Sequence, residues 1–403
     1  MHVAATYVPL IRGVEIASWD GSSKKKKRFE VGNALELLAG LNSDDYLWLM
    51  MGSTNASVAL GAFRKGVVVR QLSTERLVSL VGKLELTKDP ANPTGRRNIS
   101  LDQVLTATDK PDLFYSMGTK QADALEISSA WQLVVDAMEQ RKATANFLRA
   151  RYYQEAIGSR TIQGQALPQD PKEAMRVLEE KINDLLGTKD SKGKKKLPSH
   201  QQMAFLYQQE CQERSALERL CHKNPFYLHL FGDVEGVGPS IGARFVAALE
   251  RIERFARPAD VSNYAGMLPR GPEHKLPSRF TSRGQTLSRS PKLNAACFLL
   301  QDYMFQWGRG RTELGNMIEA QIQRECPCTQ EQRDAAKELC KIYRQAVKES
   351  LEPPCSKEEY EQAKGLPGRY SSAVKRSRIQ MTRYFLEKIL YPRWRDYMGL
   401  AAA

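Results

Sequence analysis

The stretch Gly236-Val237-Gly238-Pro239-Ser240-Ile241-Gly242-Ala243-Arg244-Phe245-Val246-Ala247-Ala248-Leu249 has the form of a helix-hairpin-helix. Its glycines permit a turn in which backbone comes close to a phosphate, and Pro239 is placed to open the following helix. Amides at the start of that helix then point at an anion. Taken alone, a G-x-G-P element is equally the mark of a plain tight turn between two helices. Working outward, the chain keeps an all-helical pattern from Phe226 onward. Arg369 to Arg395 carries eight basic residues and the single acid Glu387, interleaved with Tyr370, Tyr384, Tyr391 and Trp394. Arg270 to Lys292 carries six basic residues against Glu273. Basic stripes with interleaved aromatics suit phosphate contacts together with stacking on bases or sugars.

Upstream, residues from about Lys120 read as long helices. Trp131, Val134, Val135, Met138, Phe147 and Leu148 recur at three- and four-residue spacings in the first. Pro171 opens a second, with Met175, Leu178, Ile182, Leu185 and Leu186 on its apolar face and Gly187 as its stop. A polar tip over 188–196 leads to a third, from about Ser199 to His222, bearing Met203, Leu206, Cys211, Leu217 and Leu220. Long helices joined by a polar tip predict an antiparallel coiled-coil arm, as a spacer or as a dimerisation surface.

Residues 1 to about 116 alternate β-rich runs with helices. Gly13–Trp19 reads as a strand, the Lys24–Lys27 run as an exposed turn, and Phe29-Glu30-Val31 as the returning strand. Asn33 caps a helix bearing Leu35, Leu38 and Leu41, and Tyr46–Met51 is a strand covered on both faces. After a short helix beyond Gly52, Val67–Gln71 is another strand. This order describes an RNase-H-like (RuvC-like) α/β unit. The expected architecture is therefore α/β plus all-α: a degenerate RuvC-like domain over 1–116, a coiled-coil arm over 117–225 and an all-helical C-domain over 226–403.

Sixty Lys+Arg against 46 Asp+Glu give a formal net charge of +14. That excess favours a polyanion partner, because each neutralised phosphate releases a condensed counterion. No run approaches the roughly 18 apolar residues that a membrane span needs, and the N-terminus lacks the charged start and cleavage site of a signal peptide. A cytoplasmic location, in a prokaryotic or viral host cell, is expected. Seven cysteines suit reduced thiols better than a disulfide framework. Cys326-Pro-Cys328 with Cys340 and Cys355 is a weak zinc pattern, since C-x-C spacing is atypical and no His follows in this stretch. The five His residues (2, 200, 222, 229 and 274) are scattered, with His222 and His229 read as surface or satisfied core groups.

Downstream of the hairpin, Ile252-Glu253-Arg254-Phe255 and Val261-Ser262-Asn263-Tyr264-Ala265-Gly266-Met267-Leu268-Pro269-Arg270 resemble a block of the DEDD-type insertion-sequence recombinases guided by a bridge RNA. The resemblance covers roughly residues 226–305, and the N-terminal part by topology only. The architecture is also similar to the Nop proteins of box C/D ribonucleoproteins, and fits best the Tas proteins of tandem-interspaced-guide-RNA systems. Their basic, aromatic helical tail is matched by Arg378–Lys388 and Pro392-Arg393-Trp394-Arg395. The resemblance implies guide RNA and target DNA as partners, and a homodimer along the arm.

It also implies where chemistry would sit. A two-metal site needs about four carboxylates. The first family Asp, on strand one, corresponds to Glu15. The second carboxylate, at the end of the buried strand, is replaced by Met50-Met51-Gly52-Ser53. The final acidic pair leaves Asp102, with Asp109 and Asp112 further on. Ser282, before Arg283-Gly284, stands at the family's serine, with Ser278 a weaker match. The leading expectation is an RNA-guided DNA-binding protein that does not cut and needs no cofactor for binding. RNA or DNA would be held by Gly236, Gly238, Ser240, Ile241, Arg244, Arg270, Lys275, Arg279, Ser282, Arg283, Arg289, Lys292, Lys375, Arg376, Arg378, Arg383, Arg393 and Arg395. Two alternatives stand beside it. One is a recombinase using Mg²⁺ at Glu15, Asp102, Asp109 or Asp112 with Ser282 as nucleophile. The other is a structural ribonucleoprotein core that recruits a separate enzyme.

Overall fold

The computed structural model describes residues 1–8, 13–19, 25–30, 34–51, 53–73, 76, 101–187, 197–268, 290–349 and 351–400. They form a mixed α/β protein, with a small N-terminal sheet and many helices, that divides into two compact units, Met1–Asn224 and Pro225–Ala403.

The first unit begins with strands β1 (His2–Val8), β2 (Gly13–Trp19) and β3 (Lys25–Glu30), helix α1 (Ala34–Ala39), β4 (Tyr46–Met50), α2 (Ser53–Arg64) and β5 (Val68–Leu72). After α3 (Leu101–Ala107) comes the short β6 (Tyr115–Ser116), and the six strands stand in the order β3-β2-β1-β4-β5-β6. β1 pairs antiparallel with β2 and parallel with β4, and β4 pairs parallel with β5. Period-two alternation sorts side chains to the two faces. Val3, Ala5, Leu47 and Leu49 join Leu37, Ala56, Ala59, Ala122 and Leu125 on one side. Ala4, Trp48 and Met50 join Leu101, Val104, Leu105 and Phe114 on the other. The uninterrupted apolar run of β4 is explained by this double cover.

Two expectations are corrected here. Lys25, Lys26 and Lys27 belong to β3, paired with Ser18, Ala17 and Ile16, and not to a turn. The ladder runs on through the lysines because a strand flanking a sheet tolerates charged residues, which also discourage edge-to-edge association. Gly13–Trp19 is the second strand, not the first. The first and central one is His2–Val8, whose small alanines suit a strand covered by helices on both faces.

Helix α4 (Thr119–Ser159) starts on the sheet, where Ser57 and Ser129 hydroxyls lie 2.7 Å apart and Arg64 pairs with Glu126. It then leaves the sheet as one side of an arm. A small hairpin of β7 (Thr161–Ile162) and β8 (Gln165–Ala166) leads to α5 (Pro171–Leu186) and α6 (Gln201–Cys221). Asp170 caps α5 by accepting from the Glu173 amide at 2.9 Å, Pro171 fills its first turn, and Gly187 ends it at φ 71°. Contacts of Asp123 with Asn224, Met138 with Arg214 and Arg141 with Glu210 run in opposite chain directions, so α4 and α6 are antiparallel. Leu148, Tyr152, Ile162, Leu178, Ile182, Leu185, Leu186 and Met203 form the arm's distal core. Phe147 and Met175, expected on apolar faces, are exposed, because each helix turns only one stripe to its partners.

The second unit is built of helices, with no strand among its described residues. It comprises α7 (Pro225–Phe231), α8 (Pro239–Leu249), α9 (Pro258–Tyr264), α10 (Pro291–Tyr303), α11 (Glu313–Glu325), α12 (Gln330–Lys348), α13 (Lys357–Tyr384) and α14 (Tyr391–Met398). π-helical turns follow α10 (Met304–Gly308) and α13 (Phe385–Leu390). Its core is aromatic: Phe226 meets Trp394 edge-on with centroids 5.1 Å apart, and Phe245 meets Phe385 at 5.0 Å. No helix among the described residues is long and apolar enough to cross a membrane.

Candidate nucleic-acid interface

The hairpin between α7 and α8 is built by close packing as much as by turn chemistry. Gly236 has φ 82°, in the region that favours glycine. A Cβ there would lie 2.7 Å from the Met304 methyl and 3.2 Å from the Tyr303 ring. A Cβ on Gly242 would lie 2.7 Å from the Tyr227 ring, so this glycine lets α7 and α8 approach. The Tyr227 hydroxyl donates to the Val237 carbonyl at 3.1 Å and holds the loop in place.

Gly238 is exposed and open around its α-carbon, with Pro239, Ser240 and Ile241 partly exposed beyond it. The supply of amides is smaller than the motif suggests. Pro239 has none, and the Ile241 and Gly242 amides donate back to the Gly238 carbonyl at 2.9 and 3.0 Å. The face at this helix start is therefore the open backbone at Gly238 with Ser240. Arg244, one turn along α8, is half-buried.

The cations of the tail, and Lys292 at the start of α10, differ in their surroundings. Arg376 donates to Glu325 at 2.6 Å, and its guanidinium holds that carboxyl below the usual range. Arg378 pairs with Asp302, and burial lowers the pKa of its guanidinium. Arg383 lies 3.6 Å from Glu387. Arg393 grips Asp233 through both terminal nitrogens and holds that carboxyl low. Arg395 lies over the Tyr391 ring, 5.6 Å from its centroid. Lys292, Lys375, Arg369 and Lys388 are exposed.

The tail's aromatic residues correct the sequence reading. Trp394 and Tyr391 are 0% and 2% exposed, and the Tyr391 hydroxyl donates to the Phe255 and Ala256 carbonyls. They are core, since the tail helix is amphipathic and turns these rings inward. Tyr370 and Tyr384 are half-buried. Arg270, Lys275, Arg279, Ser278, Ser282, Arg283 and Arg289, with His274, lie outside the described residues.

The acids expected for chemistry sit on different elements. β1 reads His2-Val3-Ala4-Ala5-Thr6-Tyr7-Val8, with no acid on the central strand. Glu15 lies on β2, in register with Thr6 on one side and Arg28 on the other. Asp102 stands in the first turn of α3, and Asp109 and Asp112 follow it; all three are exposed. Among the described residues no three His, Cys, Asp or Glu side chains gather so as to hold a metal. A two-metal centre needs several converging carboxylates, and the described side chains supply no such group. The Cys326 and Cys328 sulfurs lie 3.4 Å apart, buried under Tyr370 and Leu366, and burial raises the Cys326 thiol pKa. His229 contacts Asp396 at 3.2 Å and His222 lies 4.0 Å from Glu218, both at the surface.

Sequence reading missed the face of α10 and its π turn. Its signal was present in Tyr303-Met304-Phe305-Gln306-Trp307-Gly308-Arg309-Gly310-Arg311, an aromatic run passing into alternating Gly and Arg.

Over residues 228–287 the chain matches the Transposase IS116/IS110/IS902 family. That segment begins in α7, contains the hairpin, α8 and α9, and makes this part of the chain transposase-like. No curated protein matches the chain.

Proposed function

We propose that this protein binds nucleic acid through its second unit, holding a guide RNA and directing it to DNA without cutting. The observation that carries the reading is the transposase-family match over 228–287, which spans the hairpin. The +14 net charge and the exposed Lys292, Lys375, Arg369 and Lys388 support a phosphate partner. The lack of an acid on β1, and of converging acids among the described residues, supports binding over cleavage. In this reading the first unit is a RuvC-like domain that has lost its metal site, the second a Nop-like domain, and two copies pair along the arm. Nucleic acid copurified at low salt should be short, discrete RNA, and sequencing it identifies the guide. Recovery of none would sink the proposal.

The same family match favours a second reading, a recombinase acting through Ser282. Mg²⁺-dependent strand exchange abolished by Ser282→Ala would establish it. Absence of strand exchange with any divalent metal would exclude it.

A further inference from the structure

Leu299, Tyr303 and Trp307 follow one another at four-residue intervals along α10 and its π turn, and are 38%, 43% and 58% exposed. Side chains at this spacing share one face. The two rings are the exposed large aromatics of the second unit among its described residues, a unit that otherwise buries Phe226, Phe245, Phe385, Tyr391 and Trp394. Water-facing rings of that size cost free energy unless something covers them in use.

The platform is closely packed on its inner side. Met304, fully buried, presses against Gly236 and so fastens the π turn to the hairpin. Gly308 and Gly315 meet so closely that a Cβ on Gly315 would fall 2.1 Å from the Gly308 carbonyl carbon. The Gly308 carbonyl accepts from the Arg311 and Thr312 amides at 3.0 and 2.8 Å, closing the turn after Trp307. Phe305, on another face, lies under Arg309 at 4.4 Å and Arg378 at 5.5 Å. π-helical turns recur at functional sites because the extra residue re-aims side chains.

Charge decides what occupies the stripe. Lys292, seven residues before Leu299, and Arg311, four after Trp307, are exposed and place a cation toward each end. Asp302, the acid beside Tyr303, is tied to Arg378. An apolar row with cations at both ends fits a strand whose phosphates meet the ends and whose bases meet the rings.

We infer that Tyr303 and Trp307 form a stacking platform for unpaired nucleobases of a single strand that passes the Gly236–Gly238 hairpin. This rests on the nucleic-acid reading above and adds the residues that take the bases. Ring-on-base stacking is sequence-tolerant, so the platform would hold a strand without reading it.

The test is binding of fluorescein-labelled oligo(U) and oligo(dT), with heparin as a polyanion that has no bases. Trp307→Ala should weaken both oligonucleotides by roughly 5- to 100-fold. Heparin binding should stay unchanged and Trp307→Phe should retain most of the oligonucleotide affinity. Tryptophan emission should be quenched by oligonucleotide in the wild type and much less in Trp307→Ala. A loss confined to oligo(U) or to oligo(dT) would support the platform and name its strand. Equal loss of heparin and oligonucleotide would overturn it, since that reports charge or folding. Unchanged oligonucleotide affinity would overturn it and leave the binding proposal standing. A wild type that binds neither oligonucleotide nor heparin would overturn both. A Trp307→Ala protein that turns from dimer to monomer, with binding intact, would assign the stripe to self-association.

Discussion

Replacing Glu210 should loosen the arm by a predictable amount. Its side chain is 8% exposed and accepts from Arg141 Nε at 2.6 Å and from Arg214 Nε and a terminal nitrogen at 3.0 and 2.9 Å. Arg141 is on α4, while Glu210 and Arg214 are on α6, so one carboxylate joins the two long helices. Burial pushes the Glu210 carboxyl up, but the two guanidiniums outweigh that and hold it below its ordinary value. Breaking a buried ion pair by removing one partner costs about 3–5 kcal/mol. Here the guanidiniums left behind are 27% and 35% exposed and turn partly to water. That trims the expected cost of Glu210→Ala to about 2–3 kcal/mol. For a unit of this size it is a fall in Tm of roughly 4–12 °C. The sign with pH follows from the depressed pKa. The contribution is complete above the unfolded value of about 4.3 and disappears as pH falls through the lower folded value. The gap between wild type and Glu210→Gln should therefore be flat from about pH 5 to 8 and shrink in acid. Circular dichroism melts across pH provide the assay, with Arg141→Met/Glu210→Leu as a control that should regain much of the loss. Wild-type-like melting of Glu210→Ala at neutral pH, or a gap that widens in acid, would refute the reasoning.

Three further outcomes follow from the second unit and from the exposed Asp102 and Asp109. Gly242→Val should cost about 1–3 kcal/mol by driving α7 from α8, and Gly236→Ala about 1–2 kcal/mol from its positive φ alone. Thermal melting of the isolated substitutions checks this, and neutral variants would show that the hairpin gives way easily. Lys375→Ala should lower the slope of log affinity against log salt by about 1. Arg393→Ala, which breaks the pair with Asp233, should leave that slope nearly unchanged; titration at several salt concentrations distinguishes them. Asp102→Ala and Asp109→Ala should leave nucleic-acid affinity and its response to Mg²⁺ as they are in the wild type. A loss of Mg²⁺-dependent binding in either would restore a metal role to these acids.

Much of the architecture was legible in one dimension because its signals are local. The apolar run at Tyr46, the Pro171 start and Gly187 stop of α5, and the Gly236–Leu249 hairpin each depend on neighbours a few residues away. β1 was not read as a strand, since Val3-Ala4-Ala5 is short, small and without alternation in polarity. Only its pairing with β2 and β4 makes it central, and with that Glu15 moves off the first strand.

Sequence by itself determined the charge excess, the helical second half and the hairpin with its transposase-like block. Those follow from composition and from short-range spacing, which need no partner elsewhere in the chain. Tertiary structure alone decided which cations and which rings face water. Trp394 stood out in sequence among its basic neighbours and Trp307 did not, yet the first is sealed against Phe226 and the second stands open on a π turn. Arg393 and Lys375 are equally basic, yet one is spent on Asp233 and the other is exposed. Burial and pairing are properties of residues brought together from distant positions, and the spacing of a single helix does not contain them.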